Sequence, residues 1–412
     1  MSQNTDTPPG ELLDPATIQD PVPFHAWLRA HAPVYRVPDT PLHLVATWEL
    51  VTEALGRVDE FSSNLEALLY LGDDGRPAMF DMTALGANIQ TLATADPPTH
   101  TLHRRAVFPS LVERKMREVE GLTREVATEL AAGVASAGRV DATSAFADPL
   151  PMTVLSAVLG LQADGITLDD LLAWAFDGAA LLAGTNTLAR MAELSARAAA
   201  AGEFLAAQLA GAEPDPDTGV LGAVARGVAD GLLTPEEAVG TLVILLSAGG
   251  ESTTSLIGSA IRILAEHPGL QQELRADPQR VPTFVEEVLR LEPPFTGHYR
   301  IVRRTTELGG VRLERGESLF LLWGSANRDA AHQDAPDELR LDREHTRDHL
   351  GFGRGIHHCV GAPLARMEAT VALRELLRAT PGFSLDPDRP PAYVSSMMVR
   401  RHAHLDLVVE VA

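Results

Sequence analysis

The 412-residue chain has one cysteine, Cys359, and one lysine, Lys115. A single thiol excludes an intramolecular disulfide, and with it the disulfide-built folds of oxidising compartments. Arginine therefore supplies almost all of the 34 basic residues, against 56 acidic ones, for a formal charge of −22. That balance opposes general nucleic-acid binding, because nothing offsets repulsion from phosphate. Long hydrophobic runs are also missing. The longest, GTLVILLSAGG over 240–250, is about half of what a membrane span needs. The opening MSQNTDTPPGELLDP has neither the basic segment nor the apolar stretch of a secretory signal. No internal repeat or low-complexity block stands out. The expectation is a cytoplasmic, soluble protein with no membrane span and no nucleic-acid partner.

Hydrophobic content of 45% and charged content of 22% are ordinary for a globular chain. From about 92 to 290 the pattern is mostly helical, interrupted by the loop AGAEPDPDTG at 210–219. Strand-like runs gather at LHLVAT (42–47), HYRIV, SLFLLW and LDLVVEV. This is mainly α with a small β part, which argues against a doubly wound nucleotide-binding fold. One helix is sharply marked. Thr234 as N-cap, Pro235 at N1 and Glu237 at N3 form a capping box, and Pro268 ends it. Its roughly 32 residues span ~48 Å and cross the whole domain. A second helix opens at DPPTHTLHRRAV, with Asp96 as candidate N-cap and Pro97 at N1.

Cys359 lies in LGFGRGIHHCVGAPLARME, 350–368. A zinc site would draw on His357 and His358, but three nearly adjacent ligands do not easily converge on a tetrahedral ion. A Cys–His nucleophile needs its base in front of the sulfur, usually from a distant segment. The glycines do not form a phosphate loop, because the third glycine of that pattern falls on His358. A buried free cysteine is the plainest reading. The flanks argue for more. Gly351, Gly353 and Gly355 let a flat ligand approach the main chain. Cys359 then sits at the first turn of an amphipathic helix, where amide N–H groups and the helix dipole stabilise a thiolate. An anionic sulfur held against a flat ligand suggests an axial ligand to haem iron.

FGRGIHHCVG, 352–361, resembles the FGxGxHxCxG signature of cytochromes P450, with all six defined positions satisfied, including Phe352, Gly353 and Gly361. The resemblance runs from about residue 20 to the C-terminus. It implies a polar N-terminal segment (1–20) followed by a single P450 domain (21–412), a triangular helical prism around haem b (iron protoporphyrin IX) with one long central helix. It makes Cys359 the proximal thiolate, Phe352 a neighbour of the sulfur and His357 a partner of a haem propionate. SAGGESTTS (247–255) resembles the family's oxygen-binding stretch. Ala248 and Gly249 would leave room for O₂, and Glu251 and Ser252 would relay protons. The two glycines also weaken the helix, so a local widening is expected; alone, the stretch reads equally well as a packing notch for a crossing helix. Ser stands where the family usually has Thr, keeping the hydroxyl but losing the methyl that restricts its rotamer.

Glu287 and Arg290 match the family's ExxR pair, whose third member is Arg340 or Arg343. His100 and Arg104 lie i,i+4 on one helix face and are propionate contacts by resemblance. His298 and Arg300 lie on one side of a strand. Arg300 matches the propionate arginine, and His298 touches a propionate or lines the substrate pocket. FSSNL, AGGEST and PPFTGHYR look like an actinobacterial, including mycobacterial, subgroup.

The function implied is a monooxygenase that uses O₂ and electrons from a ferredoxin and its reductase to hydroxylate or otherwise oxidise a small, largely apolar molecule. Two alternatives stay open: a biosynthetic member that couples or desaturates through radicals, and a non-catalytic haem sensor or carrier. Arg104, Arg105, Arg114, Lys115, Arg117, Arg354 and Arg366 are the candidate ferredoxin-docking cations. Distal pocket candidates are 77–89, Ile244, Ala248, Phe295, Thr296 and 394–399.

Overall fold

The computed structural model describes residues 7–85, 89–111, 113–162 and 165–410, and for 84, 85 and 113–116 the backbone alone. The chain is mainly helical. Its central helix, Pro235–Glu266, has 32 residues and opens with the reciprocal Thr234–Glu237 capping box. Thr234 Oγ1 accepts from the Glu237 N–H, and Glu237 Oε2 accepts from the Thr234 N–H. All eight residues from Thr253 to Ala260 are buried, so the helix runs through the protein rather than over it.

The expected widening at Gly249–Gly250 does not interrupt this helix, which is α-helical throughout. A Cβ at Gly249 would meet Leu155 at 3.0 Å, and one at Gly250 would meet Met152 at 2.5 Å. Both face the crossing helix Pro149–Leu159. Their missing side chains form a packing notch for that helix, the alternative that the sequence left open for this stretch.

The cysteine is followed by the helix Ala362–Ala379, which packs on the central helix and on Val281–Leu291 through a shared apolar core that includes Ile257, Ile261, Val288, Ala369 and Leu373. The β part holds a five-stranded sheet in the order Val34–Arg36, Leu42–Val45, Ser318–Leu322, Gly297–Val302, Phe61–Ser62. Strand Gly297–Val302 runs antiparallel to Ser318–Leu322, with Arg300 opposite Leu319 and His298 opposite Leu321. The period of two puts His298 and Arg300 on one face.

Two local readings change. The helix carrying His100 spans Thr99–Val107, later than an Asp96 cap would start it. The Asp96 carboxylate is committed elsewhere, accepting from the Ser62 hydroxyl and the Ser63 N–H. Residues 77–81 form a hairpin strand with Ala67–Leu71, turned at Asp74-Gly75, where Gly75 has φ +78. No described helix is long and apolar enough to cross a membrane.

Candidate functional site

Three segments converge on the cysteine loop. The loop is pinned by its own backbone, with the Gly353 N–H donating to the Leu350 carbonyl and the Cys359 N–H to the Phe352 carbonyl. Gly353 has φ +65, which a side chain would oppose. A Cβ at Gly351 would lie 2.8 Å from the Leu289 carbonyl, so glycine lets the loop seat on helix Val281–Leu291. Behind it, Phe352 carries the Arg366 guanidinium over its ring at 4.4 Å. Arg366 also donates to Glu286, at 2.6 and 3.1 Å, and Glu286 meets His349 at 2.9 Å. Arg366 is therefore part of the loop's backing, not an uncommitted docking cation.

Cys359 is exposed, yet the protein around it is dense enough that burial is the main influence on its thiol. Burial pushes the thiol up. The Gly361 N–H, the Arg104 and Arg366 guanidiniums and the Ala362 N–H pull it back toward thiolate. Cys359 lies just before the helix, which starts at Ala362 and not at the cysteine, so the sulfur faces the helix's first N–H groups from outside its first turn.

Near Cys359 stands a set of cations. Arg104 Nη1 donates to the His358 carbonyl at 2.8 Å, which ties helix Thr99–Val107 to the cysteine loop. The His100 and His357 rings lie 4.2 Å apart. Arg300 is only 7% exposed, and its one described hydrogen bond is to the Tyr299 carbonyl at 2.7 Å. Burial lowers it to about 10. His357 falls to about 2, through burial and then through Arg300, His100, His298 and Arg104. Burial and Arg300 lower His298 to about 4. His298 sits between Phe295 and Trp323, with ring centroids at 5.8 and 6.0 Å. Two arginines and three imidazoles lie together here, the imidazoles held neutral first by burial and then by the neighbouring charges, a setting that an anion would complement. A flat metal-bearing cofactor with two carboxylates would fit this donor set: the cations would take the carboxylates, the Cys359 sulfur would take the metal, and the glycine backbone would admit a flat group close by.

The central helix supplies the other wall. Ile244, Ala248 and Ser252 recur at i, i+4 and i+8 and stay partly accessible where Leu242, Leu246, Glu251 and Thr254 are buried. Ser252 Oγ donates to the Ala248 carbonyl at 2.6 Å. Glu251 does not share that face. It is 1% exposed and accepts from Arg401 Nε at 2.9 Å. Burial raises its carboxyl to about 7, opposed by Arg401 and helped by Asp148. Asp148 is itself raised to about 7 by burial, and its Oδ1 has no partner among the described residues. Neither Arg401 nor Asp148 was legible as a site residue. They reach Glu251 from 150 and 103 residues away, and no local spacing signals that.

The lock beneath the loop is complete. Arg290 donates to both Glu287 oxygens, at 2.8 and 2.9 Å. Arg343 Nε donates to Glu287 Oε2 at 3.0 Å, so Arg343 is the third side chain. Arg340 spends its guanidinium on Asp334 and Asp342. Of the docking candidates, Arg105 is exposed and Arg354 pairs only loosely with Asp348, at 3.6 Å. The side chains of Arg114 and Lys115 lie outside the described residues.

A family model described as "Cytochrome P450" matches residues 223–399. The chain is 39% identical over 394 residues to Cytochrome P450 144 of Mycobacterium tuberculosis, covering 96% of this chain and 90% of that one. It is 33% identical over 360 residues to Cyclomarin C epoxidase CymV of Salinispora arenicola, covering 85% and 87%. Among solved structures, CYP109E1 from Bacillus megaterium in complex with testosterone superposes with a TM-score of 0.84 at 27% identity, covering 97% of this chain and all of that one.

Proposed function

The chain belongs to the cytochrome P450 family, in its actinobacterial-type range, and is a haem-thiolate monooxygenase; on that premise we propose that it takes electrons from a ferredoxin and its reductase and oxidises a small, largely apolar molecule. The observation that supports this best is the pairing of the Cys359 thiol with an anion-seeking set of Arg104, Arg300, His100, His298 and His357.

Cys359 would ligate the metal of haem b. Arg300, His357, His100 and Arg104 would hold its propionates, with Phe352, Gly353 and Gly361 against the proximal side. Haem, when bound, supplies the binding and reductive cleavage of O₂, which thiolate donation favours. The remaining work belongs to the chain. Ala248 keeps the open helix face shallow. Ser252 turns a hydroxyl between the Ala248 carbonyl and the open space, so it passes a proton while holding its own. Glu251, near half-protonated at neutral pH, both gives and accepts protons.

Substrate would lie against Ile244, Ala248, Phe295 and the segment 394–399. The Thr296 hydroxyl is already satisfied by the Met397 carbonyl. That leaves an apolar wall, consistent with the testosterone bound by the CYP109E1 relative. A cytoplasmic setting suits this dependence on soluble electron carriers.

The test is a spin-shift screen of apolar compounds, followed by ferredoxin-driven turnover of the hits. Oxygenated product formed only with ferredoxin present supports the reading. Arg105→Glu and Arg354→Glu should slow reduction and flatten its salt dependence. Unchanged rates in both variants would remove this face as the docking site.

A further inference from the structure

The central helix carries a polar stripe that starts at Glu251 and, beyond that residue, is not used by the site described above. Glu251, Ser255, Gly258 and Arg262 follow one another at i, i+4, i+7 and i+11 on one face of this helix, with the Ser255 hydroxyl donating to the Glu251 carbonyl at 2.9 Å. Opposite them lies the C-terminal strand His402–His404 with its neighbour Tyr393. His402 is 1% exposed, and neither of its ring nitrogens has a partner among the described residues. A Cβ at Gly258 would lie 3.3 Å from His402 Nδ1, so the glycine keeps the ring against the helix. The ring packs on Tyr393 with centroids 4.3 Å apart. Ser259 Oγ, also enclosed, is likewise unpartnered.

Each end of the stripe holds a charge pair. At one end Arg401, next to His402 in sequence, holds Glu251 at 2.9 Å. At the other, Arg262 pairs with Glu266 at 2.7 Å and Glu292 at 3.2 Å, and all three line a surface cleft. Buried polar atoms without protein partners are satisfied by internal water when the site is polar and has room. A neutral imidazole with a free donor and a free acceptor connects two water files.

We propose that His402 is a proton-relay residue, and that the stripe from Arg262 to Glu251 is a hydrated track that recharges Glu251 from the cleft. The proposal rests on the monooxygenase reading. Its distance, about 16 Å at 1.5 Å rise per residue, requires water between the side chains. The step balances without any redox partner. A proton taken up from bulk solvent at the cleft passes along the water file to the unprotonated ring nitrogen, the opposite nitrogen gives its own through the second file to the Glu251 carboxylate, and the net change is one bulk proton consumed and one carboxylate protonated. The ring ends neutral and resets by rotation. Burial first, and then the charges of Arg262, Arg400, His404 and Arg401, lower His402 to about 3, which keeps the ring neutral, with Tyr393 packed against it.

Two readouts test this. In the reduced, carbonyl-bound holoenzyme, which is diamagnetic, ¹⁵N-histidine NMR should show both His402 nitrogens hydrogen-bonded to exchanging water. In His402→Phe, which keeps a ring on Tyr393, reoxidation of the dithionite-reduced holoenzyme by O₂ should slow about tenfold, with a larger solvent isotope effect. His402→Gln, which holds water but cannot exchange tautomers, should slow equally. An unchanged thiolate spectrum in both variants keeps the family reading intact while the relay is judged. Nitrogens free of hydrogen bonds, or reoxidation at the wild-type rate and isotope effect in either variant, would overturn the relay.

Discussion

Arg343 Nε donates to Glu287 Oε2 at 3.0 Å, while Arg340 reaches the same oxygen only through its backbone N–H, at 2.9 Å. Glu287 has no exposed side-chain surface, and Arg343 very little. Removing Arg343 leaves a buried carboxylate short of a partner, which costs about 3–5 kcal/mol in comparable pairs. Arg343→Ala should therefore fail to fold or lose its cofactor, whereas Arg340→Ala should change stability by less than about 1 kcal/mol. Denaturant unfolding of the two variants checks this; equal losses would contradict the assignment.

Asp148 and Glu251 both have carboxyls raised to about 7, by burial before any charge effect. A folded-state value above the unfolded one means the stabilisation is fully present below about pH 4 and is lost as pH rises through about 7. Unfolding temperature should fall between pH 5 and 8. Asp148→Asn removes one of the two groups and should flatten that fall, gaining about 2–3 kcal/mol at pH 8 relative to its effect at pH 5. A wild-type profile that rises over this range would contradict the burial argument.

Arg300 lies buried against a single carbonyl acceptor. A propionate would supply the missing anion, and a hydrogen bond to a charged group contributes about 1.5–3 kcal/mol. Arg300→Leu should weaken haem retention about 10- to 100-fold in transfer to an acceptor globin, with folding preserved. Unaltered retention would place Arg300 away from the cofactor.

The central helix was readable end to end, because its capping box and terminal proline are local signals. The cysteine loop and the Glu287–Arg290 pair were equally local. The hairpin at 67–81 was missed because Ala67–Leu71 reads as a short apolar run with no alternation, and only Asp74-Gly75 marks a turn. The packing notch at Gly249 and Gly250 could not be told from an oxygen-binding stretch in the sequence, because a glycine's face cannot be seen without the helix that crosses it. Arg401, Asp148 and His402 escaped notice for a related reason: each acts through a tertiary contact with the central helix, and their neighbours in sequence are ordinary strand and helix-start residues.

The account turns on the thiolate at 359. Purified protein expressed with ample haem precursor should be coloured, and its dithionite-reduced, carbonyl-bound form should show the red-shifted Soret band of sulfur ligation. Cys359→Ala should lose that band. A colourless wild-type protein, or an alanine variant with the same pigment and the same band, would contradict it.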